Sequence, residues 1–177
     1  MKLLKSEFDP AQKDQELTGR ATRFVNELAH CMDIGLSVQH VDSSGRLVLE
    51  LPYNEELIAN TDSGVMHGGA ITTLMDTASG TSVICSLEDF EICPTLDLRI
   101  DYLKTAEPHK PIFGFAECYR ISRNVVFTRG YAFQDSIEDP VAYCVGTFMR
   151  LGTEFTPDYF RTRVLEGKVS ETQGGAE

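Results

Sequence analysis

Positive charge is scarce in this chain: 177 residues carry 16 lysines and arginines against 27 acidic residues, a formal net charge of −11. Binding along a phosphate backbone needs a basic surface, so nucleic acid is excluded as a general partner. One small anionic ligand held by a few local arginines is not excluded. Long hydrophobic runs are also missing, since no stretch approaches the roughly 18 apolar residues that span a bilayer. The opening MKLLKSEFDP is charged and lacks the apolar core of a signal peptide. The expectation is a cytoplasmic protein with no membrane partner. Cys31, Cys85, Cys93, Cys118 and Cys144 are odd in number and show no CxxC spacing, which argues against a disulfide framework or a zinc site. Small buried thiols are expected instead. There is no GxSxG and no Ser-His-Asp arrangement, so a serine hydrolase is set aside. No internal repeat and no linker divides the chain.

What is present is a core. Hydrophobic residues make up 42% of the sequence, enough for one ordinary domain. The chain is organised around Ser63 to Leu87, SGVMHGGAITTLMDTASGTSVICSL, whose single formal charge is Asp76, with Asp62 and Glu88 just outside. So uncharged a stretch reads as a buried helix, and a buried carboxylate is costly unless paired or employed.

The rest reads in order. Asp9-Pro10 has the form of a helix start, and Leu17, Ala21, Phe24, Val25, Leu28 and Met32 recur at helical spacing, predicting an amphipathic helix over 10–32. Strands are predicted at 35–42 and 46–51 around the Asp42-Ser43-Ser44-Gly45 turn, then a helical turn within 53–60. After the uncharged helix come strands at 95–103, 111–122, 124–135 and 140–151. Their short breaks imply antiparallel neighbours. One parity of these strands holds small residues (Gly114, Ala116, Gly130, Ala132, Cys144, Gly146). The other holds large ones (Phe113, Phe115, Tyr131, Phe133, Tyr143). Ala70, Ala78, Ser79, Gly80 and Ser82 make the helix small as well. The reading is α+β, a curved antiparallel sheet of about six strands wrapped round one long helix, although plain alternation gives the same pattern. Thr156-Pro157 opens a short helix to about Glu166, and 168–177 is apolar-poor and expected to be disordered.

Two places suit chemistry. His67-Gly68-Gly69 lies where loop becomes helix, and first-turn N–H groups have no partner within a helix. Glycines let a carbonyl oxygen approach them, as in an oxyanion site, though a tight turn explains two glycines equally well. Asp76 lies opposite the Ile71, Leu74, Met75 and Ala78 stripe. It reads as a general base or nucleophile, or else as a solvated aspartate. Gly68 and Asp76 are eight residues apart on one helix, about 12 Å, so they cannot touch the same reacting carbon. A joint role requires two copies of the chain with shared sites, an obligate dimer.

His-Gly-Gly, an aspartate nine residues after the histidine, and a strand of the form TLDLRIDYLK together resemble the hotdog-fold acyl-CoA thioesterases, most closely the PaaI (phenylacetyl-CoA thioesterase-like) branch. The resemblance covers about 33–151. It implies residues 1–32 as an N-terminal helix of the same domain, 33–152 as the hotdog domain and 153–177 as an extension. It implies dimers, often paired into tetramers, and no metal or other cofactor, coenzyme A being part of the substrate. By position Gly68 offers its N–H to the thioester carbonyl, with Gly69 beside it, and Asp76 of the other subunit is nucleophile or water activator. Thr95 falls where relatives place a water-orienting hydroxyl. Ser122-Arg123 begins the loop over the nucleotide, so Arg123 can meet a phosphate, and His67 orients the loop. Relatives carry an asparagine six residues before the histidine. Thr61 stands there, and a loop one residue longer returns Asn60 to the site. Thr95 shares the parity of Asp97 and Arg99, so it reaches the site only if that face meets the partner or Pro94 disturbs the strand start. Arg99, Lys104, Arg120 and Arg129 either surround a phosphate or are solvated. Phe90, Tyr53, Met66 and the first helix can limit the acyl pocket. His30, His40 and His109 carry no chemical expectation. The functions to separate are a thioesterase, an acyl-CoA-binding protein without turnover, and a dehydratase of the same fold.

Overall fold

The computed structural model describes residues 13–167. Six strands form one antiparallel sheet: β1 (Ser37–Val41), β2 (Leu47–Leu51), β3 (Thr95–Tyr102), β4 (Ile112–Ile121), β5 (Val125–Phe133) and β6 (Ala142–Met149). Their spatial order is β1-β2-β4-β5-β6-β3. β1 turns into β2 at Asp42, whose carboxylate accepts from the Ser44 and Arg46 N–H groups and from Arg46 Nε at 2.6 Å. Gly45 closes this turn at φ +75°. Short connections make β4, β5 and β6 a meander. The connection from β2 to β3 instead contains the long helix α3 (Gly68–Ser86) and carries the chain to the opposite edge of the sheet.

The small parity of the strands faces α3, as the sequence suggested. A Cβ on Gly114 would lie 2.9 Å from Leu74 Cγ, and one on Gly130 2.8 Å from Met75 Cε, both on α3. Ser79 and Ser82 meet the thiols of Cys144 and Cys118 at 3.8 and 3.5 Å. Backbones this close leave no room for added methyl groups, and overpacking of such a contact costs about 1–3 kcal/mol. The sheet can therefore curve tightly round the helix. Leu74, Met75, Ala78 and Val83 are fully buried in that concave side.

The predicted helix over 10–32 is two helices, α1 (Gln15–Asn26) and α2 (Ala29–Asp33). Asp14 caps α1, its Oδ1 accepting from the Leu17 N–H at 3.0 Å. Asp9-Pro10 lies outside the described residues. Leu28 is extended (φ −95°, ψ 95°) and breaks the run. The break resets the helical phase: Met32, expected on the apolar stripe, is 49% exposed, and Cys31 takes the core position instead. A single-turn 3₁₀ helix at Glu55–Leu57 matches the turn expected in 53–60.

The last helix, α4 (Asp158–Glu166), packs on α1. Arg23 donates to the Val164 and Leu165 carbonyls at 2.6 and 3.0 Å, and Gly167 ends the helix at φ +69°. The disorder expected for 168–177 lies outside the described residues. Between α3 and β3 the buried Glu91 receives Arg150 Nε and the Gly152 N–H, both at 2.7 Å. This fixes the segment that leads into β3. No helix among the described residues is long and apolar enough to cross a membrane.

Candidate functional site

α3 is buried on most of its circumference, yet Gly69, Thr72, Asp76 and Gly80 escape full burial. Their spacings of three, four and four place them on one stripe. β3 runs beside this stripe and is the last strand of the sheet on that side. The site is built where an otherwise covered helix stays open.

The Asp76 carboxylate is half-buried, and the Thr95 hydroxyl donates to its Oδ1 at 2.9 Å. Simple alternation from Asp97 and Arg99 would have turned Thr95 away from the helix. A β-bulge reverses it. Thr95 pairs with Phe148 and Asp97 with Thr147, so two β3 steps oppose one on β6. Leu96 is the extra residue. Plain alternation would place it with the inward Leu98 and Ile100, but it projects outward, 56% exposed. The bulge at the strand start, next to Pro94, turns Thr95 toward Asp76 within a single chain.

At the N-terminal end of α3 the loop is drawn in by the His67 N–H donating to Leu57 O at 2.7 Å and the Ala59 N–H donating to Val65 O at 2.7 Å. His67 is the helix cap, its Nδ1 accepting from the Gly69 N–H at 2.9 Å. That contact uses the Gly69 donor and leaves the Gly68 N–H without an acceptor among the described residues. A single unsatisfied first-turn donor at the positive end of a helix is suited to a developing negative charge on oxygen.

Asn60 is committed elsewhere. Its side-chain oxygen accepts from the Ser63 N–H at 2.8 Å and its carbonyl accepts from the Gly64 N–H at 3.3 Å, so it shapes the preceding turn. Ser122 closes the β4–β5 hairpin, donating from Oγ to Val125 O at 2.6 Å. The register Thr95–Phe148–Val126–Ile121 puts this hairpin at the same end of the sheet as Thr95, three strands away. That separation is roughly 14 Å at ordinary strand spacing. Arg123 is exposed there and makes no ion pair among the described residues. Arg99, Lys104 and Arg129 are already paired with Asp101, Asp139 and Glu117, which weakens the reading of them as a phosphate cluster.

Two cavities flank the first turn of α3. One, of about 330 Å³, is lined by Met66, Gly68, Ile71, Tyr102, Leu103 and Ala106 among others. The second, of about 370 Å³, is lined by His30, Ile34, Glu56, His67, Gly69 and Thr73 among others. Met66 and, through His30 and Ile34, the first helical region line these cavities. Tyr53 does not: it stacks on His109 around a separate loop cavity. Nor does Phe90, which is buried against Phe160.

Residues absent from the sequence expectation enter here. His30 Nε2 lies 3.5 Å from Thr73 Oγ1. Tyr102 Oη donates to the Gly68 carbonyl at 2.6 Å. The alternation of β3 gave no sign of this, because a tyrosine at an apolar position reads as packing. Burial pushes all five thiols upward, Cys85 and Cys93 to about 12 and Cys144 to about 11, so none is a ready nucleophile. No three His, Cys, Asp or Glu side chains among the described residues cluster as metal ligands.

Comparison with known proteins agrees with this architecture. A profile of the thioesterase superfamily matches residues 63–141, the span from the α3 loop to the start of β6. A Halobacterium salinarum protein named as a candidate esterase is 37% identical over 76 residues. That match takes in 41% of this chain and 50% of the other, so the likeness spans about half the length of the curated relative. A solved Pseudomonas aeruginosa protein is 58% identical, with a TM-score of 0.70 over 76% of this chain and 99% of its own. More distant structures share the fold. The Escherichia coli PaaI protein of the phenylacetic acid degradation operon is 17% identical (TM-score 0.64, 77% and 96% covered). A Streptococcus mutans protein bound to acetyl CoA is 21% identical (TM-score 0.58, 67% and 90% covered). The chain belongs to the thioesterase superfamily and has the hotdog fold of its PaaI-like branch.

Proposed function

We propose that the protein hydrolyses acyl-CoA thioesters at sites shared between two copies of the chain. The observation that carries this reading is the pairing of an open, hydroxyl-supported carboxylate at Asp76 with a free Gly68 N–H on the same helix. The two groups are about 12 Å apart along one helix and serve one carbonyl only when a second helix lies antiparallel beside the first. Asp76 of one copy then either accepts a proton from water or attacks the thioester carbon itself. The Gly68 N–H of the other stabilises the oxygen as it gains charge. In the first route the water oxygen bonds to the thioester carbon; in the second, water afterwards cleaves the Asp76–acyl anhydride. Either way the C–S bond breaks, coenzyme A leaves as its thiol carrying one proton of that water, and the acyl group leaves as a carboxylate. Arg123 at the hairpin edge is the candidate contact for a nucleotide phosphate. The acetyl CoA held by the Streptococcus mutans neighbour supports a CoA thioester as the ligand.

The commitment of Asn60 to its own turn favours a second reading, an acyl-CoA-binding protein without turnover. A dehydratase is the weaker alternative, because the His67 Nδ1 lone pair is occupied by the Gly69 N–H. An acyl-CoA panel with thiol release as the readout, run on the wild type and on Asp76→Asn, separates these. Turnover of at least one aryl- or fatty-acyl-CoA that disappears in Asp76→Asn supports the hydrolase. Tight CoA binding with no turnover on any thioester supports the binding protein.

A further inference from the structure

We propose that Tyr102, on the edge strand, is the positioning residue that aims the Gly68 N–H. This rests on the reading of Gly68 as the oxyanion donor and extends it to a residue 34 positions away. A glycine backbone has no orientation of its own to defend, so a donor on Gly68 must be held from outside. Both peptide planes that meet at Gly68 are held. The His67–Gly68 plane, which carries the donor, has its carbonyl accepting from the Ala70 N–H at 3.0 Å. The Gly68–Gly69 plane is gripped at both ends. Its N–H donates to His67 Nδ1 at 2.9 Å, and its carbonyl accepts from Tyr102 Oη at 2.6 Å and from Thr72 Oγ1 at 3.1 Å. Thr72 Oγ1 also lies 3.0 Å from Tyr102 Oη; with the Tyr102 proton on the Gly68 carbonyl, the single Thr72 proton is shared between that carbonyl and Oη, which ties β3 to the helix. A peptide unit is rigid, so fixing its two polar ends fixes the torsions on either side.

The approach is tight: a Cβ at Gly68 would lie 3.1 Å from Tyr102 Oη, so the hydroxyl would have to give by a few tenths of an ångström. Tyr102 and Gly68 also line the same cavity of about 330 Å³, so the hydroxyl acts at the wall of the place a carbonyl would occupy. Of the three side-chain grips on the Gly68–Gly69 plane, only Tyr102 comes from outside the helix and its cap. It couples the donor to the strand that closes the sheet.

The test is Tyr102→Phe, which keeps the ring and removes the hydroxyl, with Thr72→Val as a second variant of the same network. With the best thioester from the panel, kcat is expected to fall roughly tenfold to a hundredfold, the scale of a small misplacement of a catalytic group. KM is expected to stay within about threefold, the pattern of an interaction felt in the transition state. Two CoA probes separate positioning from simple loosening. A CoA thioether bearing a trifluoromethyl ketone, which mimics the oxyanion, is expected to bind more weakly by the same factor as kcat. A plain alkyl-CoA thioether is expected to bind as to wild type, and thermal unfolding to be unchanged. Unchanged kcat and ketone affinity in Tyr102→Phe overturn the assignment, as does equal weakening of both probes. Wild-type protein that turns over no thioester, or undiminished turnover in Asp76→Asn, rejects the underlying site. An active, Asp76-dependent wild type with an indifferent Tyr102→Phe rejects the role of Tyr102 alone.

Discussion

The sheet has two edges, and the chain treats them differently. At β1 the outer backbone groups are taken by the segment before α1: the Asp14 N–H donates to Val41 O at 2.8 Å, and Lys13 Nζ reaches Gln39 O at 3.3 Å. α1 then packs over that side. At β3 no further strand is paired among the described residues. Leu96 and Tyr102 stand more than half exposed there, beside the open stripe of α3 that carries Asp76. Sheet edges are normally blunted or covered. An edge left bare next to a half-buried carboxylate and a free helix-end N–H is the side on which the proposed shared site needs its second copy.

The largest expected effect sets the two sides against each other. Asp76→Asn, on the bare side, is expected to lower kcat by about 10²–10⁴, the range for loss of a positioned acid or base, with no change in unfolding. Glu50→Gln near the covered edge, where Glu50 meets Gln39 at 2.7 Å, is expected to leave kcat unaltered. Equal losses would erase the distinction. Next comes a test of sharing. Gly68→Val and Asp76→Asn are each expected to be inactive alone. Co-expressed, they are expected to regain about a quarter of wild-type activity, because half of random dimers are mixed and each mixed dimer holds one intact site. No recovery would place the whole reaction within one chain. A smaller loss, about tenfold in kcat, is expected for Thr95→Val, which deletes the hydroxyl on Asp76 and keeps the shape. The smallest effect is none. With thiols held up at about 11 to 12 for Cys85, Cys93 and Cys144, the fraction ionised at pH 8 is about one in a thousand or less. Iodoacetamide at that pH is expected to leave activity intact. Raising the pH toward 11 should expose Cys144 before the other two.

Much of this was legible in the sequence, and the exceptions have physical causes. Strand extents and the small-residue face followed from local alternation, which the sheet preserves along β4, β5 and β6. Asp76 and His67-Gly68-Gly69 were visible because charge and glycine are conspicuous in an apolar run. Thr95 was legible as a candidate but not in its direction, because a bulge is a count of residues on one strand against another, and the count involves β6. The break at Leu28 was hidden because Met32 keeps helical spacing with Leu28 in sequence, and only the chain geometry shows the phase lost. Tyr102 was hidden because its role lies in one hydroxyl reaching a carbonyl 34 residues earlier. Asn60 was visible as a residue type, but its competing partner, the Ser63 N–H, is a feature of turn geometry.

The extra residue at Leu96 has a consequence of parity. Side chains on a strand alternate with a period of two, so a one-residue excess divides β3 into two segments that obey opposite rules. Removing one residue between Thr95 and Asp97 would let plain alternation resume with Thr95 still opposite Phe148, so the hydroxyl would face Asp76 without a bulge. A change of two would keep the need for a bulge to hold it there. The working surface of this protein therefore depends on arithmetic as much as on residue identity, and a gap of one in a related sequence at this point marks a strand that presents the same hydroxyl without a bulge.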